Sequence, residues 1–172
     1  MLELGPLIRD IPDFPKKGIL FKDITTLLKD GPAFGCVVDS LAGRYRQERV
    51  DVVVGVESRG FILGGAVAHQ LNAGFVPVRK AGKLPGKTIE VEYELEYGRD
   101  ALAMHEDAIK VGQRVLVVDD LLATGGTMAA TLRLIDQLGG RVVGVAFMIE
   151  LAFLHGRDKL KEHPVHSLIV YE

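Results

Sequence analysis

The sequence predicts an α/β fold, with a mostly parallel central sheet flanked by helices. Two continuous apolar runs, Asp51-Val52-Val53-Val54-Gly55-Val56 and Arg114-Val115-Leu116-Val117-Val118, read as strands buried on both faces. Segments with helical apolar spacing alternate with these runs along the chain. Strands that alternate with helices are joined by crossovers, which make the sheet parallel and cover both of its faces.

Each element has a local signal. After Asp30, a possible N-cap, the apolar residues Phe34, Val37, Val38, Leu41 and Tyr45 form a helical stripe. Cys36 lies in that helix and reads as a buried structural cysteine rather than a nucleophile. The strand at 51–56 follows, and Glu57-Ser58-Arg59-Gly60 turns the chain into a helix over about 61–71. Phe75-Val76-Pro77-Val78 is a short strand, and 79–87 reads as a loop carrying Arg79, Lys80, Lys83 and Lys87. Next, Ile89, Val91, Tyr93, Leu95 and Tyr97 alternate with Glu90, Glu92, Glu94 and Glu96. That period of two predicts a strand with one wet face, half of an antiparallel ribbon outside the main sheet. The strand at 114–118 leads through a Gly/Thr-rich turn to a helix over about 127–138, ended by Gly139-Gly140. Strands at 142–149 and 167–171 complete the series.

The totals bound the function. A chain of 172 residues, 48% hydrophobic and 26% charged, has the composition of a globular protein, and no repeat or linker divides it. We expect residues 1–172 to form one domain. A net charge of -2 offers no overall electrostatic case for nucleic acid. No apolar run approaches the roughly 18 residues of a membrane span. The opening Met1-Leu2-Glu3-Leu4-Gly5-Pro6 lacks the basic start of a secretion signal. Cys36, the single cysteine, excludes an internal disulfide and suits a reducing compartment, so a cytoplasmic protein is expected. His69, His105, His155, His163 and His166 are scattered without metal-ligand spacing.

The chemistry concentrates in Val117-Val118-Asp119-Asp120-Leu121-Leu122-Ala123-Thr124-Gly125-Gly126-Thr127. A buried strand delivers two carboxylates to its carboxyl end, where open α/β sheets bind ligands. A loop of small residues then opens into a helix. Its backbone N–H groups, the helix N-terminus and two threonine hydroxyls suit a phosphate dianion. The Gly-Lys-Ser/Thr ending of a P-loop is missing. Carboxylates repel phosphate, so Asp119 and Asp120 make sense as acceptors for the hydroxyls of an adjoining sugar diol. The plainer alternative is a solvated acidic pair before a helix cap. Arg59, in a turn after a buried strand, suits bidentate pairing with phosphate oxygens. Spacing alone makes Glu96 one of four glutamates on a wet strand face.

The hydrophobic strand, Asp-Asp and Ala-Thr-Gly-Gly-Thr resemble the signature of the purine and pyrimidine phosphoribosyltransferases. The stretch from Asp13-Phe14-Pro15-Lys16-Lys17-Gly18 through Phe21-Lys22-Asp23-Ile24-Thr25 resembles the adenine-specific branch. So do Glu57-Ser58-Arg59-Gly60-Phe61, Arg79-Lys80-Ala81-Gly82-Lys83-Leu84-Pro85-Gly86 and Leu95-Glu96-Tyr97-Gly98. These blocks keep family order across nearly the whole chain. The resemblance implies the type I phosphoribosyltransferase fold, with a base-covering hood at residues 1–30 and a flexible antiparallel catalytic loop at 79–98. It implies transfer of 5-phosphoribosyl from 5-phosphoribosyl-1-pyrophosphate (PRPP) to adenine, giving AMP and pyrophosphate.

By the same resemblance, Asp119 and Asp120 hold the ribose, and Ala123, Thr124, Gly125, Gly126 and Thr127 hold the 5′-phosphate. Arg59, Arg79, Lys80 and Lys83 meet pyrophosphate, Phe21 and Ile24 meet the base, and Glu96-Tyr97 carries the acid/base carboxylate. Mg²⁺ enters mainly on the pyrophosphate and ribose of the substrate, with no protein residue as a firm ligand. A homodimer is implied, and part of the loop cluster can act across its interface. The alternatives are transfer to another base, or a non-catalytic regulator that binds PRPP.

Overall fold

A computed structural model describes residues 3–94 and 98–172. From the N-terminus, β1 (Arg9–Pro12) and β2 (Leu20–Asp23) form an antiparallel hairpin of their own, followed by the one-turn helix α1 (Thr25–Leu28). The order is then α2 (Gly31–Tyr45), β3 (Val52–Val56), α3 (Arg59–Leu71), β4 (Gly74–Lys80), β5 (Thr88–Glu94), β6 (Arg99–His105), β7 (Arg114–Leu122), α4 (Gly126–Gln137), β8 (Arg141–Leu151) and β9 (Val165–Tyr171).

β5 through β9 join β3 and β4 in a seven-stranded sheet of order β5-β6-β4-β3-β7-β8-β9. The five strands from β4 to β9 in that order run parallel, so the fold is α/β with helices on a mostly parallel sheet. Successive residues of a strand face opposite sides, and here both sides are buried. Val53, Leu116 and Val118 pack under α2 and α3, whereas Val52, Val54, Val115 and Val117 pack on the side of α4 and of Val91 in β5. Every residue of β3 is buried, as the unbroken apolar run requires.

Capping sets the helix ends. Asp30 accepts a hydrogen bond from the Ala33 N–H at 2.9 Å, which satisfies an N–H that has no partner within α2. Val37, Val38 and Leu41 are buried along its stripe. Cys36, expected to be buried, is only half-buried, because it lies to the side of that stripe. Gly139, at φ +77°, turns the chain after α4. Among the described residues, no helix is long and apolar enough to cross a membrane.

Two sequence expectations need correction. The antiparallel ribbon is not outside the main sheet: β5 pairs with β6, and β6 pairs with the end of β4 through Arg79↔Ala103 and Lys80↔Leu102. Arg79 and Lys80 are therefore strand residues, not loop residues. β4 outlasts its apolar run because β6 offers its last residues a hydrogen-bonding edge. The wet face of β5 is as expected, with Glu90, Glu92 and Glu94 exposed and Val91 buried.

The topology opens a crevice between two neighbouring strands. From β3 the chain crosses to β4 on one side, and β7 later returns to pair with β3 on the other. The carboxyl ends of β3 and β7 therefore bound a topological switch point, where backbone loops diverge and leave room for a ligand.

Candidate active site

A cavity of about 560 Å³ opens at this switch point. The turn after β3 contributes Glu57 and Ser58, the start of α3 contributes Arg59, and β7 contributes Asp119 and Asp120. The loop Ala123-Thr124-Gly125-Gly126-Thr127 closes one end, while Phe21 reaches in from the N-terminal hairpin. The peptide between Glu57 and Ser58 is cis.

Asp119 and Asp120 are still strand residues, since β7 extends to Leu122. Asp119 Oδ1 accepts from the Asp120 N–H at 2.9 Å. It also lies so close to α3 that a Cβ on Gly60 would be 2.6 Å from it, so glycine is required there. Burial, and then the negative charge of Asp120, push the Asp119 carboxyl well above the usual carboxylate range. Asp120 is 6% exposed. Its Oδ2 lies 2.8 Å from Arg59 Nε, yet the approach lacks hydrogen-bond geometry and the oxygen has no hydrogen-bond donor among the described residues. A buried acceptor left in this state is suited to a ligand hydroxyl or a cation.

Arg59 is the first residue of α3 and links three parts of the site. Besides its ion pair with Asp120, its guanidinium lies 5.3 Å from the centroid of the Phe21 ring, a cation–π contact. Phe21 packs edge-on against Phe14 at 5.1 Å. The hairpin is thereby coupled to the cavity floor.

The small-residue loop is a cradle for steric reasons. Gly125 holds φ +77°, and a Cβ there would be 2.4 Å from the Gly156 carbonyl oxygen. Only glycine satisfies both the conformation and the close approach. The backbone can then turn N–H groups toward the cavity at the start of α4, where the helix dipole favours an anion.

The cationic cluster sits elsewhere. Glu57 accepts from Arg79 Nε at 3.3 Å, Arg79 Nη2 at 3.1 Å and the Lys80 N–H at 2.6 Å. Burial alone would raise the Glu57 carboxyl, but these donors outweigh it and hold it below the usual range. Arg79 also donates to the Lys83 carbonyl at 3.1 Å, and Lys80 Nζ pairs with Asp100 at 2.9 Å.

The structure thus gathers Phe21, Arg59, Asp119, Asp120, Ala123, Thr124, Gly125, Gly126 and Thr127 around one cavity. Arg79, Lys80 and Lys83 do not line it and reach it only through Glu57. Ile24 does not line it: its side chain is 1% exposed in the core, and its carbonyl accepts from the Leu27 and Leu28 N–H groups of α1. Glu96 and Tyr97 lie outside the described residues. Sequence reasoning assigned no role to Glu57, although it stands in the same string as Arg59. It also missed Gly156, whose contact with Gly125 has no local signal beyond the glycine itself. Among the described residues no group of three or more His, Cys, Asp or Glu side chains is placed to hold a metal ion.

An α/β sheet with paired carboxylates and a glycine cradle at its switch point defines a class, the phosphoribosyl-binding enzymes. Residues 25–169 match the family model described as phosphoribosyl transferase domain. The adenine phosphoribosyltransferase of Brevibacillus brevis is 58% identical over 170 residues, covering 99% of this chain and 100% of that relative. The crystal structure of the Thermoanaerobacter pseudethanolicus adenine phosphoribosyltransferase superposes with TM-score 0.95 at 52% identity, covering 98% of both chains. The Saccharomyces cerevisiae enzyme, solved in complex with an imino-altritol bisphosphate and adenine, gives TM-score 0.92 at 41% identity over 96% of both chains. The chain belongs to the adenine phosphoribosyltransferase family.

Proposed function

We propose that this chain transfers the 5-phosphoribosyl group of PRPP to adenine, forming AMP and releasing pyrophosphate, as a step of purine salvage. One observation carries the reading: a carboxylate pair, Asp119 half-buried and Asp120 buried, shares one cavity with a glycine cradle at a helix N-terminus. PRPP presents a diol between a 5′-phosphate and a pyrophosphate, and the cavity has a matching order of groups. The N–H groups of Ala123-Thr124-Gly125-Gly126-Thr127 take the 5′-phosphate. Asp119 and Asp120 accept from the ribose hydroxyls.

Arg59 faces the pyrophosphate side from the start of α3. It pairs with Asp120 at 2.8 Å. When the ribose diol supplies donors to that carboxylate, Arg59 is released to the pyrophosphate oxygens, a charge-assisted contact. The bond between C1 and the pyrophosphate oxygen breaks, and its electron pair leaves with pyrophosphate. Adenine N9 supplies the pair for the new bond, and a proton must leave the purine. Glu96 is the group we assign to accept it, on the family resemblance.

Phe21 packs on the base, with Tyr97 and the backbone of the hairpin completing the enclosure. Excluding water here protects the activated sugar from hydrolysis. Arg79, Lys80 and Lys83 add positive charge over the polyphosphate, in part across a homodimer interface. Asp120 Oδ2 is a hard buried oxygen without a hydrogen-bond donor among the described residues, and it fits Mg²⁺ held mainly by substrate oxygens. When bound, Mg²⁺ neutralises charge on the leaving group. The chain acts as one domain, with residues 1–30 as hood, and works in the cytoplasm.

The test is AMP formation from adenine, PRPP and Mg²⁺, with hypoxanthine, guanine and orotate in parallel. Turnover of adenine alone supports the reading. Turnover of another base shifts the specificity, and tight PRPP binding without turnover of any base favours a regulator.

A further inference from the structure

Behind the phosphate cradle stands an ion pair that takes no part in the cavity wall. Glu150, near the end of β8, is 5% exposed. Arg157, in the short turn Gly156–Leu160, holds it as a fork: Nε donates to Oε1 at 2.9 Å and Nη2 to Oε2 at 2.5 Å. Ser167 of β9 donates to the same Oε2 at 2.5 Å, and Arg157 Nη1 donates to the Val165 carbonyl at 3.0 Å. Arg157 is therefore pinned to two adjacent strands of the sheet. A planar five-donor fork engaged at this many points fixes position as well as charge.

The residue before Arg157 is Gly156, and it is buried against the cradle. A Cβ on Gly156 would be 2.1 Å from the Ala123 carbonyl oxygen, and one on Gly125 would be 2.4 Å from the Gly156 carbonyl oxygen. The two backbones are in contact with no side chain between them. His155, at φ +54°, turns the chain so that Gly156 faces the cradle and Arg157 faces the sheet. Arg157 and Gly156 share a peptide unit, and Gly156 packs directly on the backbone of Ala123 and Gly125, so the anchored arginine stands one residue from the cradle contact.

We propose that Glu150 and Arg157 are positioning residues for the 5′-phosphate cradle: their ion pair sets the Gly156 backbone, which sets the depth of the Ala123–Gly125 backbone. The inference rests on the proposed assignment of that cradle to the 5′-phosphate. It predicts that damage to the pair is felt at the phosphate end of the substrate and not at the base. A bond that merely stabilised the fold would lower the folded fraction and leave the surviving molecules with native affinities.

Ribose 5-phosphate is the direct probe, because it engages the cradle without chemistry. We would measure its Kd by calorimetry, and KM for PRPP and for adenine, in the wild type, Arg157→Lys, Glu150→Gln and Ser167→Ala. Arg157→Lys keeps the charge but loses the fork. It is expected to weaken ribose 5-phosphate and raise the PRPP KM by about tenfold, the effect of losing one or two backbone hydrogen bonds. The adenine KM at saturating PRPP should stay within about twofold, the scatter expected where no contact is lost. Ser167→Ala removes a single contact of Glu150 and should shift the same two constants less. It decides the matter if the ion-pair variants do not fold. Native ribose 5-phosphate affinity in the folded variants, or equal losses for both substrates, would overturn the positioning role while leaving the proposed function intact. A wild type that binds no ribose 5-phosphate would instead remove the cradle assignment itself.

Discussion

Asp119 carries a cost that the proposed ribose contact would account for. Its raised proton affinity means that the fold disfavours the ionised form. For such an acid, stability declines as pH rises from the unfolded value toward the folded one. Asp119→Asn keeps an oxygen for the Asp120 N–H and removes the charge. It should therefore leave the melting temperature at pH 7 unchanged or higher, while kcat/KM for PRPP falls about 30- to 100-fold through loss of a charged hydrogen bond. A lower melting temperature together with native kinetics would contradict both assignments. Asp120→Asn should show a similar kinetic loss. It should also free Arg59 from its ion pair, which would be seen as a weaker coupling of Phe21 to the site.

At the scale of elements, the junction between β7 and α4 is the most constrained. The turn between them must place Gly125 at φ +77° with its Cα against the Gly156 carbonyl. Gly125→Ala meets both a strained conformation and a backbone clash. We expect it to destabilise by about 1–3 kcal/mol and to weaken PRPP binding, measured by urea denaturation and calorimetry on one preparation. The contiguous pattern of strand, acids, small residues and helix start made this junction legible from sequence, because all of its parts are neighbours along the chain. The junction of β4 with β6 was not legible. Arg79 and Lys80 look like loop cations, and only the pairing partners Ala103 and Leu102 make them strand.

On the scale of the whole molecule, acid should undo the ion pairs in order. The Arg157 guanidinium outweighs burial and holds the Glu150 carboxyl below its ordinary 4.5. The contribution of Glu150 is therefore complete above about pH 4.5 and lost as pH falls through its lower folded value. The Arg9 guanidinium and the Thr25 contacts hold Asp23 at about 2 against an ordinary 3.8, so its share is lost later, between those values. Urea midpoints of Glu150→Gln and wild type should differ by a constant amount above about pH 5 and converge below it. A difference that grows toward acid would reverse the sign and refute the account. Ligand linkage acts on the same scale. PRPP at 100 times its Kd should stabilise by about 2.7 kcal/mol, read as a rise in melting temperature of about 5 °C or more.

Along the chain, the sequence by itself determined the alternation of buried strands and helices, the carboxylate pair, the cradle and the wet face of β5. Each depends on residues a few positions apart, whose backbone geometry and periodicity are local. The tertiary structure alone decided that Arg59 lies across Asp120 and Phe21, that Ile24 turns into the core, and that Glu57 anchors Arg79. It alone brought Gly156 and the Glu150–Arg157 ion pair behind the cradle. Those facts depend on which strands become neighbours in the sheet, a choice made by burying apolar faces throughout the molecule and recorded in no single stretch of sequence.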